Sequence, residues 1–69
     1  MKLTINGESR QFPPPAASFT VAALVDTLGY TGERIAVERN GEIVPRSRHG
    51  DVALAEGDRI EIVVAVGGG

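Results

Sequence analysis

Three glycines, Gly67, Gly68 and Gly69, close the sequence directly after an apolar run from Ile60 to Val66 in which Glu61 is the one charge. Glycine loses more backbone entropy on ordering than any other residue, so such a run weakens a terminal strand, and a disordered end has no need of it. The run reads as a thin, bendable tail without Cβ atoms. Its expected reactive group is the α-carboxylate of Gly69, with Gly68 beside it. The competing reading is simple fraying of a chain end. An extended residue adds ~3.3–3.6 Å, so three glycines would carry the carboxylate about 10 Å beyond the last strand residue. Without side chains they would thread a narrow channel in another protein.

An α-carboxylate is ionised at neutral pH. It is a competent nucleophile toward the α-phosphorus of ATP, and the resulting acyl-adenylate is open to a sulfur or amine nucleophile. The nucleotide must be held elsewhere. Gly29-Tyr30-Thr31-Gly32 lacks both the lysine and the strand-loop-helix order of a phosphate-binding loop. ATP is therefore expected to be used by an activating partner, with no cofactor bound by this chain.

The other chemistry-bearing residues read as ordinary. Asp26, Glu33, Glu38, Glu42 and Asp58 are scattered acids expected on a solvated surface. Asp51 and Asp58 read as turn residues rather than metal ligands. His49 beside Arg48 reads as plain surface, Ser47 has no His-Asp partners in view, and Tyr30 closes the helix end. The chain has no cysteine and a single histidine. That excludes a disulfide framework, a thiolate or histidine-cluster metal site, and a self-contained thioester nucleophile.

The run before the glycines has two faces. Ile60, Ile62 and Val64 share one; Arg59, Glu61, Val63 and Ala65 share the other. The second face starts charged and turns apolar close to the tail. An apolar rim beside a reactive end has the character of a docking surface. Val63, Ala65, Val66 and Gly67 are its expected partner-binding residues. The alternatives are that the chain's own loop covers Val63, or that a central strand is apolar on both faces.

The elements that position these residues follow from periodicity and turn chemistry. Lys2-Leu3-Thr4-Ile5 alternates polar and apolar. Asn6-Gly7 is a strong hairpin signal, because both central residues of a type I′ turn need positive φ. Glu8 to Phe12 returns, and Pro13-Pro14-Pro15 ends the hairpin. Thr20 reads as a helix N-cap, with Phe19 and Leu24 at the spacing of a hydrophobic staple. Val21, Leu24, Val25 and Leu28 form one apolar stripe of a helix of about two and a half turns. Gly29 sits where a left-handed residue would end it. Ile35 to Arg39, a second Asn-Gly pair at Asn40-Gly41, and Glu42-Ile43-Val44 make a second hairpin stopped by Pro45. Arg46 to Gly50 reads as polar loop, and Asp51 to Leu54 as a connector with a 3₁₀ or bridge segment. Glu56-Gly57-Asp58 is a turn, and Arg59 to Val66 is the last and longest strand.

Strands on either side of one helix imply an α+β sheet with the helix on one face. The most apolar strand, the last, is expected at the centre and parallel to the first. That is a ubiquitin-like β-grasp roll, a mixed sheet of four to five strands. The expected core is Leu3, Ile5, Val21, Leu24, Val25, Leu28, Val37, Leu54, Ile60, Ile62 and Val64. At 69 residues the chain is one domain near the lower limit for an unstapled core. Residues 1–66 are expected to be the β-grasp domain and 67–69 a flexible tail. Seven basic and nine acidic side chains leave a net charge of −2. No basic run offers the phosphate contacts that nucleic acid requires. No apolar run approaches the ~20 residues of a membrane span, and the N-terminus is unlike a signal peptide. A soluble protein of the reducing cytoplasm is expected.

Four segments carry a more specific likeness. They are Phe19-Thr20-Val21-Ala22-Ala23-Leu24-Val25, the stretch Ala36-Val37-Glu38-Arg39-Asn40-Gly41-Glu42-Ile43-Val44-Pro45-Arg46, the stretch Glu56-Gly57-Asp58-Arg59-Ile60-Glu61-Ile62, and the glycine ending. Asn40 to Arg46 is the most diagnostic and the ending the least. Together they span essentially the whole chain and resemble the ThiS family, the β-grasp sulfur carriers of thiamine biosynthesis. The Pro13-Pro14-Pro15 loop departs from that pattern as local variation. The resemblance implies a cycle. An E1-like (ThiF-like) adenylyltransferase activates the Gly69 carboxylate with ATP, and a sulfurtransferase system converts it to a thiocarboxylate. A ThiG-like thiazole synthase then takes the sulfur. Gly68 and Gly69 match the family's functional pair, Gly67 is a spacer, and Arg46 matches with a structural role. The chain would be a carrier and an enzyme's substrate rather than an enzyme. Competing readings are the molybdopterin-synthase small subunit, a ubiquitin-like protein modifier, and a non-covalent binding module.

Overall fold

The computed structural model describes residues 1–13, 18–30 and 34–65. Both Asn-Gly pairs reverse the chain as their chemistry predicts. Asn6 and Gly7 have φ of 50° and 83°, Asn40 and Gly41 of 51° and 86°, the sign that type I′ turns need at both central positions. The first turn joins β1 (Lys2–Ile5) to β2 (Glu8–Gln11), and the second joins β3 (Ile35–Arg39) to β4 (Glu42–Val44). Both pairs are antiparallel, with Ile5 opposite Glu8 and Arg39 opposite Glu42 at the turns.

Between the hairpins lies one helix, α1 (Val21–Thr27). Thr20 caps it: its Oγ1 accepts from the Ala23 amide at 3.1 Å, which satisfies one of the orphan donors of the first turn. Two more are taken by the later loop, where Val52 and His49 carbonyls accept from Val21 and Ala22 at 3.0 and 2.8 Å. At the other end Gly29 has φ 85°. Its amide donates to Asp26 O at 3.1 Å, and that of Tyr30 to Val25 O at 3.0 Å. That pair of bonds is a Schellman closure.

The last strand, β5 (Arg59–Val64), sits in the middle of a five-stranded mixed sheet of order β2-β1-β5-β3-β4. It runs parallel to β1, with Ile5 beside Ile60, and antiparallel to β3, with Val37 beside Ile62. This is the β-grasp arrangement expected from the sequence. Leu3, Leu24, Ile60, Val21 and Val37 are almost wholly buried. Ile5, Leu54 and Ile62 complete the expected centre of the core.

The structure corrects several expectations. Phe12 and Val44 are also buried, whereas Val25 and Leu28 are only partly covered and Val64 is half-buried. Phe12 is held by the ladder continuing past β2, its amide donating to Met1 O at 2.7 Å. The 3₁₀ turn lies at Arg46–Arg48, inside the stretch read as plain loop, while the connector supplies a single bridge between Thr20 and Ala53. β5 stops at Val64, two residues before the expected end. Ala65 still donates its amide to Arg34 O at 2.7 Å.

Asp58 is not a solvated surface acid. It is 6% exposed and accepts from Arg39 Nε at 2.7 Å, the Ala55 amide at 2.8 Å and Asn40 Nδ2 at 3.0 Å. Its carboxylate ties the turn before β5 to the end of β3. Burial alone pushes its pKa up. The hydrogen bonds from Arg39, Ala55 and Asn40, with the Arg39 charge, outweigh that and leave it below the ordinary value. His49 is likewise half-buried rather than plain surface, its Nε2–H donating to Val44 O at 3.1 Å.

Candidate functional site

Gly67, Gly68, Gly69 and Val66 lie outside the described residues, so the site is built from the strand that leads to them. β5 alternates as expected: Ile60 and Ile62 face the core, and Arg59, Glu61 and Val63 face out. The helix covers only the inner side. Val63 is 62% exposed, so no loop of the described chain covers it. Ala65 is exposed as well.

Cross-strand register shows what stands next to Val63. Ala36 of β3 is directly opposite it, and Glu38 is directly opposite Glu61. Ile43 of β4 pairs with Glu38 and is 74% exposed. Side chains alternate across each strand, so Ile43, Glu38, Ala36, Glu61 and Val63 share the outer face. Arg34, Ile35, Ala36, Arg46, Val63 and Ala65 line a shallow open groove there, of about 420 Å³. The groove lies where β5 gives way to the glycine segment.

The sequence located Val63 and Ala65 but missed Ala36, Ile43, Arg34 and Arg46 as members of this face. Arg46 is exposed and lines this groove with Val63. Alternation within β3 identifies Ala36 as outward. Only the strand order brings it against Val63. Thr20, Asp58 and His49 support the scaffold and do not reach this face.

Among the described residues no group of three or more His, Cys, Asp or Glu is placed to hold a metal ion. Among them, too, no helix is long and apolar enough to cross a membrane. What the face offers is area: an apolar strip of Val63, Ala36 and Ile43 interrupted by two carboxylates, at the base of the glycine segment.

Comparison with known proteins agrees with this geometry. The ThiS family model matches residues 3–69. A thiazole synthase of Paramagnetospirillum magneticum is 54% identical over all 69 residues, and one of Magnetococcus marinus is 42% identical over the same span. The chain spans only 20% of the length of either of these relatives. The crystal structure of a thiamine biosynthesis protein (ThiS) from Geobacter metallireducens superposes with a TM-score of 0.79 at 33% identity, covering 100% of both chains. A family match through nearly the whole chain and a full-length structural counterpart lead to one conclusion: the chain belongs to the ThiS family.

Proposed function

We propose that this chain is a sulfur carrier for thiazole formation in thiamine biosynthesis, working through the glycine segment. In a chain ending at Gly69, the α-carboxylate attacks the α-phosphorus of ATP held by an E1-like adenylyltransferase, and pyrophosphate leaves. A sulfide-equivalent nucleophile supplied by a sulfurtransferase then attacks the acyl carbon, and AMP leaves. The resulting thiocarboxylate gives its sulfur to a thiazole synthase. The chain binds no cofactor in this cycle, since the nucleotide belongs to the activating partner. It is substrate and carrier, not catalyst, and the cytoplasm is its place of work.

The observation that carries this reading is the family match reaching residue 69, through the strand that leads into Gly67, Gly68 and Gly69. The relatives named thiazole synthase support thiazole as the destination of the sulfur, over the molybdenum cofactor. The outer face of β5 supports docking: Val63 is exposed one strand residue before the sheet ends.

The test is incubation with ATP, sulfide and an E1-like adenylyltransferase, followed by intact-mass measurement. Exchange of one carboxylate oxygen for sulfur is expected. Removing Gly69, or adding a C-terminal tag, should abolish it while the fold is retained. Normal thiocarboxylation of a tagged protein would sink the reading.

A further inference from the structure

The outer face contains a feature that works against the fold. Glu38 and Glu61 stand directly opposite each other on β3 and β5, and both are exposed. Like charges at directly opposed positions destabilise a sheet. Arg59 borders the same depression as the two carboxylates. Yet neither glutamate is in any of the ion pairs found among the described residues, which are Arg39 with Asp58 and Arg48 with Asp51. A solvated face would be better served by a lysine at either position.

The pair also has a definite place. Two residues along the strands, at the next pair on the same face, Ala36 stands opposite Val63. Ile43, exposed on the neighbouring strand, pairs with Glu38. The two carboxylates are thus framed by the apolar strip. Acid flanked by apolar surface selects a partner with a cation beside an apolar side chain. An arginine suits two adjacent carboxylates, because its planar fork carries five N–H donors.

We propose that Glu38 and Glu61 are the charged recognition element of this face, and that what docks there is a thiazole synthase surface presenting an arginine to the two carboxylates and an apolar side chain to Val63 and Ala36. The inference rests on the sulfur-carrier reading above. It commits to thiazole synthase because relatives bearing that name contain a segment 54% and 42% identical to this chain, so this fold and that activity are joined in one polypeptide there. Stability and affinity then pull in opposite directions at these positions. The fold tolerates the repulsion because the docked partner removes it.

The experiment uses Glu38→Lys, which creates an opposite-charge pair with Glu61, and the double variant Glu38→Gln with Glu61→Gln. Thermal midpoints and titration calorimetry against thiazole synthase are measured at low and at moderate salt. Both variants should melt at or above the wild-type midpoint. Both should bind about tenfold or more weakly at low salt, with a smaller loss on adding salt than wild type shows. Wild-type affinity in both variants overturns the proposal and makes the pair a plain solvated surface. Loss of binding to an E1-like enzyme alone, with thiazole synthase binding intact, also overturns it by naming another occupant. The same holds if wild type self-associates through this face and the variants do not. If wild type binds thiazole synthase under no condition, the sulfur-carrier reading itself falls, which is a different result from unchanged variants.

Discussion

The side chain of Asn6 pairs with the backbone of Ile62 as a strand residue would. Its Nδ2 donates to Ile62 O at 3.2 Å, and the Ile62 amide donates to Asn6 Oδ1 at 2.7 Å. The backbone of β1 has by then turned away into the hairpin. The side-chain amide prolongs the parallel ladder that runs from Thr4 N–H at Asp58 O, 3.0 Å, to Asn6 N–H at Ile60 O, 2.9 Å. Asn40 holds the other side of β5 at its start, through one strand amide and the Asp58 carboxylate. It accepts from the Arg59 amide at 2.9 Å and donates to Asp58 at 3.0 Å. Each asparagine therefore makes a turn and also grips the central strand.

Asn6→Gly separates those two roles. Glycine keeps the positive φ but removes the amide, leaving both Ile62 backbone groups without their partner. A loss of about 1–2 kcal/mol is expected, seen as a lower urea midpoint at unchanged slope. A midpoint equal to that of wild type would mean that water replaces the amide at no loss.

Val63→Asp and Ile62→Asp are neighbours with opposite expected outcomes. The first places a charge on an exposed face and should change stability by roughly 0.5 kcal/mol or less. The second places one in the core, where Ile62 is 5% exposed, and should unfold a domain this small. Val63→Asp should nevertheless weaken thiazole synthase binding strongly. Equal destabilisation by both would refute the assignment of faces.

Asp58 gives the fold an acid limit. Its pKa is held below the ordinary carboxylate value by Arg39, Ala55 and Asn40 despite burial. A depressed carboxylate contributes fully above the unfolded pKa, about 3.9. That contribution is lost as pH falls through the folded pKa. Asp58→Asn should cost about 2 kcal/mol near neutral pH, since the bonds it removes are charge-assisted. The gap between wild type and variant in thermal or urea unfolding should narrow below about pH 4. A gap that stays constant into strong acid would show that the Asp58 charge does not stabilise the fold.

Gly68→Ala tests why the segment is made of glycine. One added methyl reduces the backbone freedom to be lost on docking, so on entropy alone the variant would bind no worse. A channel that excludes Cβ predicts strongly slowed adenylation instead. Steady-state kinetics with an E1-like enzyme decide between the two. Equal rates would leave flexibility as the only use of the glycines.

Much of this molecule is legible from local chemistry. Asn-Gly pairs, a threonine N-cap, Gly29 after an apolar stripe, and period-two alternation each act over a few residues. Their demands on φ, on the Thr20-capped amide and on side-chain direction are set by neighbouring residues alone. Hence both hairpins, the helix and the two faces of β5 could be read directly, while the exposure of Val63 was settled only by the packing. Strand order decided the rest. Asp58 looks like any acid in a turn until β5 is placed beside β3, which delivers Arg39 and Asn40 to it. Phe12 and Val44 become core only in the assembled fold, where the Phe12 ring lies 5.7 Å from that of Phe19, and Val25 and Leu28 are left partly exposed. The opposition of Glu38 and Glu61, and of Ala36 and Val63, is a matter of register between strands more than twenty residues apart in sequence. No local rule sets that register. It follows from burying Val37 and Ile62 together, which fixes what the other face displays.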